Sequence, residues 1–207
     1  MGSHNPFQVV KDLEAAIADY TGAPYVVTTN SCTMALLLAC KWFWDHGERG
    51  YENSYIECPK RTYVGVPCSI RHAGFDVVFT DYEWRGQYRL LPLPVYDSAR
   101  NFTSGMYIPT QMMCVSFHAT KILGDTQGGA ILLDNPEAYE WLKRMRFDGR
   151  TEGVPCNQDN FREIGYHCYM SPDVAARLLH KLSVLPKHNA PLPNDDYPDL
   201  SKFEVFR

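Results

Sequence analysis

Hydrophobic positions recur along the chain with two spacings, one typical of helices and one typical of short buried strands. Apolar residues three or four positions apart predict an amphipathic helix from Phe7 to Tyr20, which ends at Thr21 and Gly22. Further helices are predicted at 34–44, 62–73, 136–147 and 174–185. Apolar, β-branched runs predict strands at 25–28, 54–57, 76–80, 93–96, 112–115 and 130–133.

Strands and helices alternate over the first two thirds of the chain, which is typical of an α/β fold. We expect a mostly parallel or mixed sheet between layers of helices. Residues 84–89 predict a loop or hairpin, and residues 150–169 predict an extended loop. The C-terminal tail, residues 186–207, holds four prolines and is expected to be extended or packed across another surface.

Residues 1–4 are interpreted as an expression-tag remnant, residues 5–185 as one domain, and residues 186–207 as the tail. The net charge of −4 argues against nucleic acid or an anionic membrane as the main partner. No apolar run approaches ~20 residues, so no membrane-spanning helix is expected. The seven cysteines are odd in number and never spaced as CxxC. This favours reduced cysteines in a cytoplasmic protein over disulfides or a zinc site, and we expect no metal.

Lys121 is the first candidate for chemistry. It lies in a small, glycine-rich segment between the two strands predicted at 112–115 and 130–133. If those strands bury it, desolvation lowers the pKa of its ammonium group and leaves a nucleophilic amine, which can form Schiff bases with carbonyl compounds. The alternative is a glycine-rich hairpin whose lysine points into solvent, which is the common situation for lysines.

Three other groups follow predicted strands. Cys32 and Thr33 come after the first strand, at the start of a helix, and Asp97 and Ser116 end two later strands. Because ligands bind at the carboxyl ends of strands in open α/β sheets, these residues are expected to converge. The free N–H groups of a helix start suit a phosphate, although Ser31 or Thr33 can also act as a plain helix cap.

These residues belong to an ordered set of motifs that resembles the DegT/DnrJ/EryC1/StrS family of sugar aminotransferases. The resemblance covers roughly residues 7–185 and rests on segments 13–22, 30–36, 62–63, 72–74, 95–99, 116–121, 128–130 and 165–176. Its most specific piece is Ser-Phe-His-Ala-Thr-Lys at 116–121 followed by Gly-Gly-Ala at 128–130. The resemblance implies the large domain of the fold-type-I, three-layer architecture and pyridoxal 5'-phosphate (PLP) as cofactor.

The resemblance also implies roles for individual residues. Lys121 would form the Schiff base with the cofactor and act as general base, and Asp97 would pair with the pyridine nitrogen. Tyr63 would stack on the ring, and the phosphate would be held by Cys32, Thr33 and Ser116. Arg100 would lie near the phenolic oxygen, and His167 would reach the cofactor phosphate of a neighbouring subunit.

Simpler interpretations stay open for several of these residues. Asp97 can cap a turn after its strand, and Tyr63 can be ordinary core packing. Ser116 can hydrogen-bond within its own turn, and His167 can be a histidine of a surface loop.

The chain departs from the family pattern at four places. Cys32 replaces a glycine and would cost free energy if the backbone there needs a positive φ. Arg100 replaces a glutamine or histidine and adds a charge. The chain is shortened between Asp81 and Val95, and it stops soon after the helix predicted at 174–185, so the C-terminal subdomain of relatives is expected to be missing.

Three functions compete at this point. The first is transfer of an amino group from a donor such as glutamate to a nucleotide-linked keto sugar, by a homodimer. The second is a relative that binds PLP or a sugar nucleotide without turnover. The third is a PLP-dependent sugar dehydratase. Relatives with that activity have a histidine in place of the lysine, so the presence of Lys121 disfavours it.

Overall fold

The computed structural model of the protein describes residues 5–47, 55–194 and 197–206. The helices are α1 Gln8–Thr21, α2 Cys32–His46, α3 Gly65–Ala73, α4 Pro136–Met145 and α5 Pro172–Ser183. The strands are β1 Tyr25–Thr29, β2 Tyr55–Pro59, β3 Asp76–Thr80, β4 Tyr88–Arg89, β5 Val95–Asp97, β6 Met112–Ser116 and β7 Gly129–Leu133. Three short 3₁₀ turns occur at Cys156–Gln158, Leu200–Lys202 and Glu204–Phe206.

The elements agree with the sequence prediction to within a few residues. The strand predicted to start at Ser54 is described from Tyr55, because Ser54 lies outside the described residues, as does the predicted tag remnant at 1–4. The segment 84–89 is the first arm of a hairpin, since β4 pairs with β5. The strand predicted at 93–96 is β5, two residues further on, so that Asp97 is its last residue.

The central sheet has five strands in the order β1-β7-β6-β5-β4, and β2 and β3 form a separate parallel pair. Among the described residues, β5 and β6 form the single parallel pairing of the central sheet, and its other three pairings are antiparallel. The α/β fold and the mixed sheet are confirmed, but the expectation of mostly parallel pairing is wrong. Two reversed strands, β7 and β4, lie next to the three that share one direction. Residues 90–94 join β4 to β5, and the longer loop 117–128 joins β6 to β7.

Alternate residues of the central strands face two different hydrophobic layers. On β6, Cys114 packs into the layer with α2, α3 and α4, while Met113 and Val115 pack into the layer with α1 and α5. On β7, Ile131 and Leu132 divide in the same way. Burial on both faces explains why these strands are continuous apolar runs, and it confirms the predicted three layers.

A buried ion network joins α1, β1 and the end of α4. Arg146, only 2% exposed, donates hydrogen bonds to the Glu14 carboxylate, to the Thr28 carbonyl oxygen at 2.7 Å and to Glu152 Oε1 at 2.6 Å. Glu14 Oε1 also accepts from the Thr28 amide at 2.9 Å. The Arg146 cation is therefore paired with two carboxylates, and a buried charge requires such pairing.

Replacing Arg146 by methionine should destabilise the fold by about 3–5 kcal/mol, because Glu14 would stay buried without its cation. Urea unfolding followed by circular dichroism measures the change. The matched control is Arg144→Met, which removes a more exposed pair with Glu163 (2.8 Å) and should cost about 1 kcal/mol or less. Equal losses in the two variants would show that burial does not set the strength of the Arg146 network.

Candidate active site

A cavity of about 350 Å³ opens where β5, β6 and the start of α2 meet. It gathers seven of the eight site residues predicted from the sequence, and these are Cys32, Thr33, Tyr63, Asp97, Arg100, Ser116 and Lys121. The eighth, His167, lies outside it. The predicted convergence of these residues at the strand ends is confirmed, because β5 and β6 run in parallel and end side by side.

The start of α2 offers backbone N–H groups to the cavity. Ser31 is the cap, and its Oγ accepts a hydrogen bond from the Met34 amide at 3.2 Å. Cys32 and Thr33 are the first two helical residues, whose N–H groups have no acceptor within a helix. Ser31 is thus the cap, and Cys32 and Thr33 both line the cavity at the positive end of the helix.

Cys32 does not need a positive φ. Among the described residues only Thr110 and Asp148 combine a side chain with a left-handed backbone, so the cost expected for a cysteine at this position does not arise. Glycine is required instead at Gly129, where a Cβ would lie 2.5 Å from the Cys32 amide nitrogen. Burial raises the pKa of the Cys32 thiol well above its usual range, and the nearby Asp97 charge raises it further while Lys121 opposes both.

Asp97 is buried, at 4% exposure, and its carboxylate is held from two sides. The Ala99 amide donates to Oδ1 at 2.9 Å, and the Tyr88 hydroxyl donates to Oδ2 at 2.8 Å. Burial raises the pKa of Asp97, while these two hydrogen bonds and the Lys121 and Arg100 charges lower it in part. The bond to Ala99 is the turn cap considered from the sequence, and it coexists with a carboxylate that faces the cavity.

Tyr88 was not predicted from the sequence. It lies opposite Asp97 in the β4–β5 register, is 1% exposed and shares a 2.6 Å hydrogen bond with the Thr62 hydroxyl. Burial raises its pKa well above the usual range, so the phenol stays protonated and remains a donor to Asp97. Only the pairing of the two strands reveals this contact, since nothing in the spacing of residues 88 and 97 marks it.

Lys121 is half-buried and lines the cavity. The alternative considered from the sequence, a hairpin lysine that points into solvent, is therefore wrong. The loop that carries it is closed by hydrogen bonds from the Phe117 amide to the Gly128 carbonyl (2.8 Å) and from the Asp125 amide to the Phe117 carbonyl (2.9 Å). Asp125 ties this loop to α5 through Arg177 and Lys181, each at 2.9 Å, and these cations hold the pKa of the Asp125 carboxyl well below its usual range.

Tyr63 and His167 are the two predicted residues with exposed side chains. Tyr63 is 56% exposed at the rim of the cavity and so is not core packing. Its ring is placed by Gly65, where a Cβ would lie 2.7 Å from Tyr63 Cε1. His167 Nδ1 is 2.8 Å from Asp148 Oδ2. It lines a second, smaller cavity that shares Gln127 and Gly128 with the first.

Neither a metal cluster nor a membrane span is found in the described part of the chain. No group of three or more histidine, cysteine, aspartate and glutamate side chains could hold a metal ion among residues 5–47, 55–194 and 197–206. The same ranges contain no helix long and apolar enough to cross a bilayer.

Tyr88→Phe should lower the free energy of unfolding by about 1–3 kcal/mol at pH 7.5, because the buried Asp97 carboxylate loses a donor. The pKa of Asp97 is already raised by burial, so its charged form disfavours the native state at neutral pH. Protonation as the pH falls removes that penalty, and the difference from the unchanged protein should shrink at pH 5. Urea unfolding at the two pH values tests this, with Tyr96→Phe on β5 as control. An equal loss of unfolding free energy at pH 7.5 and at pH 5 would contradict the role given to Tyr88.

Comparisons with known proteins agree with this geometry. The model of the DegT/DnrJ/EryC1/StrS aminotransferase family matches residues 4–88 and 107–191, and Asp97 and Arg100 lie between the two matched ranges. The search of curated proteins found no match.

Solved structures share the fold at low sequence identity. AtS13 from Actinomadura melliaura has a TM-score of 0.75 at 19% identity, with 86% of this chain and 60% of that chain covered. Spr1654 from Streptococcus pneumoniae, solved in its PMP form, has a TM-score of 0.69 at 20% identity, covering 86% and 59%. PseC from Helicobacter pylori, an aminotransferase involved in the biosynthesis of pseudoaminic acid, has a TM-score of 0.68 at 17% identity, covering 89% and 59%. This chain spans about 60% of the length of such proteins.

The match of the family model over most of the sequence shows that the chain belongs to the DegT/DnrJ/EryC1/StrS aminotransferase family.

Proposed function

We propose that the protein is a PLP-dependent aminotransferase that moves an amino group from an amino-acid donor such as glutamate to a nucleotide-linked keto sugar. The observation that carries the proposal is the meeting, in one cavity, of a half-buried lysine, a buried carboxylate and a helix N-terminus. Family membership supports amino transfer, and so do the similar structures, which include a sugar aminotransferase from Streptococcus pneumoniae and an aminotransferase from Helicobacter pylori.

The residues present fit the cofactor. The α2 N-terminus and the Ser116 hydroxyl suit its phosphate, since free N–H groups and the helix dipole favour an anion there. Gly65 keeps this corner open, because a Cβ would lie 2.9 Å from Thr33 Oγ1. A volume of about 350 Å³ falls within the range of roughly 300–1,000 Å³ that is usual for small-molecule sites.

Each side chain has a distinct task in this proposal. Bound PLP supplies an electron sink for the carbon that carries the amino group. Asp97 would keep a proton on the ring nitrogen of the bound cofactor, and the Tyr88 hydroxyl and the Ala99 amide hold its carboxylate in place. Lys121 would hold the cofactor through its Nζ and would carry the proton in the transfer step. Arg100 contributes a positive charge beside Asp97.

A second candidate is a relative that binds the cofactor without turnover. The observation that favours it is length, since the chain spans about 60% of the solved relatives. Amino transfer from glutamate to a nucleotide keto sugar, followed in a coupled assay, separates the two functions. Measurable transfer excludes the non-catalytic candidate, and cofactor binding without transfer supports it.

PLP added to the purified protein should give a visible absorbance band, and borohydride should fix the cofactor covalently at Lys121. Lys121→Ala should abolish both the band and the fixation, because no other lysine lines the cavity among the residues that the structure describes. Lys41→Ala is the matched control, since Lys41 pairs with Asp45 on α2 and does not line the cavity. Peptide mass spectrometry locates the fixed cofactor. A band that persists in Lys121→Ala would refute the assignment of the lysine.

We also propose that the protein is a cytoplasmic homodimer in which His167 reaches the cofactor phosphate of the partner subunit. Support comes from the exposure of His167 and from its position beside Gln127 and Gly128, which also line the main cavity. All seven cysteines are free thiols, which fits a reducing compartment.

Sedimentation at micromolar concentration should give twice the chain mass. His167→Ala should weaken PLP binding by roughly tenfold and leave the dimer intact, because only one contact to the phosphate is removed. His46→Ala serves as the control, since His46 stacks on Trp42 at the far end of α2. A strict monomer, or unchanged PLP affinity in His167→Ala, would refute this role.

A further inference from the structure

The C-terminal tail crosses the molecule and passes the mouth of the cavity. It leaves α5 beside α1, where the Tyr20 hydroxyl donates to the Pro186 carbonyl at 2.6 Å. The Ser104 amide then donates to the Lys187 carbonyl at 2.9 Å. The prediction of a tail packed across another surface is thus confirmed, and that surface includes the candidate active site.

Two groups of contacts hold the tail, one on each side of Tyr197 in the sequence. On one side the Leu192 amide donates to the Arg100 carbonyl at 2.9 Å, and Pro191 packs on Gly86, where a Cβ would lie only 2.6 Å from Pro191 Cβ. On the other side Leu200 is 2% exposed, and its amide donates to the Lys60 carbonyl at 2.8 Å.

Tyr197 lies between these two groups and lines the cavity together with Lys121 and Asp97. Its hydroxyl accepts a hydrogen bond from Arg100 Nη1 at 3.3 Å, and its carbonyl accepts from Arg61 at 3.2 Å. Its ring lies nearly parallel to that of Trp84, with the centroids 6.3 Å apart and an angle of 19° between the planes. Trp84 in turn packs on Tyr88, the donor to Asp97, at 4.6 Å.

We propose that Tyr197 is a substrate-binding residue, and that with Trp84 it forms an aromatic surface against which the sugar ring of the amino acceptor packs. This inference rests on the proposed function and adds a specificity-determining residue to it. It does not follow from the family's sequence motifs, because Tyr197 lies beyond the residues that the family model matches.

The chemistry of this surface suits a hydroxylated ring. Flat aromatic rings bury the C–H face of such a ligand, which removes apolar surface from water. The Tyr197 hydroxyl and the Arg100 guanidinium provide polar groups at the same edge for hydroxyl or carbonyl oxygens.

The test compares two ligands, uridine diphosphate glucose and uridine diphosphate, by isothermal titration calorimetry on the PLP-treated protein. The ratio of their affinities reports what the sugar ring contributes. Tyr197→Ala should reduce this ratio by roughly tenfold, because the aromatic surface is lost. Tyr197→Phe should keep most of the ratio, since the ring remains. Phe203→Ala, an exposed aromatic residue of the same tail, should leave the ratio unchanged.

Several outcomes would overturn the inference. These are an unchanged ratio in Tyr197→Ala, equal losses in the alanine and phenylalanine variants, and failure of the unchanged protein to bind the sugar nucleotide. Tighter PLP binding in Tyr197→Ala would also overturn it, because the tyrosine would then occupy the cofactor's place. Failure of the proposed function is seen separately, as absence of the PLP absorbance band in the unchanged protein.

Discussion

The site depends on the backbone contact between the first residue of β7 and the first residue of α2. At Gly129 a Cβ would lie 2.5 Å from the Cys32 nitrogen, so no side chain can stand between strand and helix. The same strand ends the loop that carries Lys121, and it pairs with β6, which ends in Ser116. One close approach therefore fixes the helix N-terminus, the lysine loop and the end of β6 relative to one another.

Two buried charged groups, Arg146 and Asp97, have different roles in the structure. Arg146 contacts Glu14, Glu152 and Thr28, and these ion pairs and hydrogen bonds link the end of α4 to α1 and β1. The Asp97 carboxylate is oriented by two neutral donors, the Tyr88 hydroxyl and the Ala99 amide, and the charges of Lys121 and Arg100 act on it as well. Neutral donors orient a carboxylate while leaving its charge to act on a ligand.

Much of the fold followed from the sequence because the helices repeat apolar residues every three or four positions, whereas the central strands are short continuous apolar runs. The convergence of Thr33, Asp97, Ser116 and Lys121 followed from one rule, that ligands bind at the carboxyl ends of strands. The antiparallel pairings of β4 and β7 did not follow, since periodicity carries no information on strand direction. Tyr88 and Tyr197 were missed because their roles arise from pairing across β4–β5 and from a tail that returns over the cavity, and neither leaves a local pattern.

Cys32 and Lys121 place two nucleophiles in one cavity, and their environments separate them. Burial keeps the Cys32 thiol protonated at neutral pH, and a thiol in that form is a poor nucleophile. In the proposed function, an aldehyde that enters the cavity would therefore react with the Lys121 amine without competition from the Cys32 sulfur. The substitution of cysteine for glycine at the helix start thus adds a sulfur atom without adding a competing reaction, and thiol reagents that inactivate exposed cysteines should spare this one.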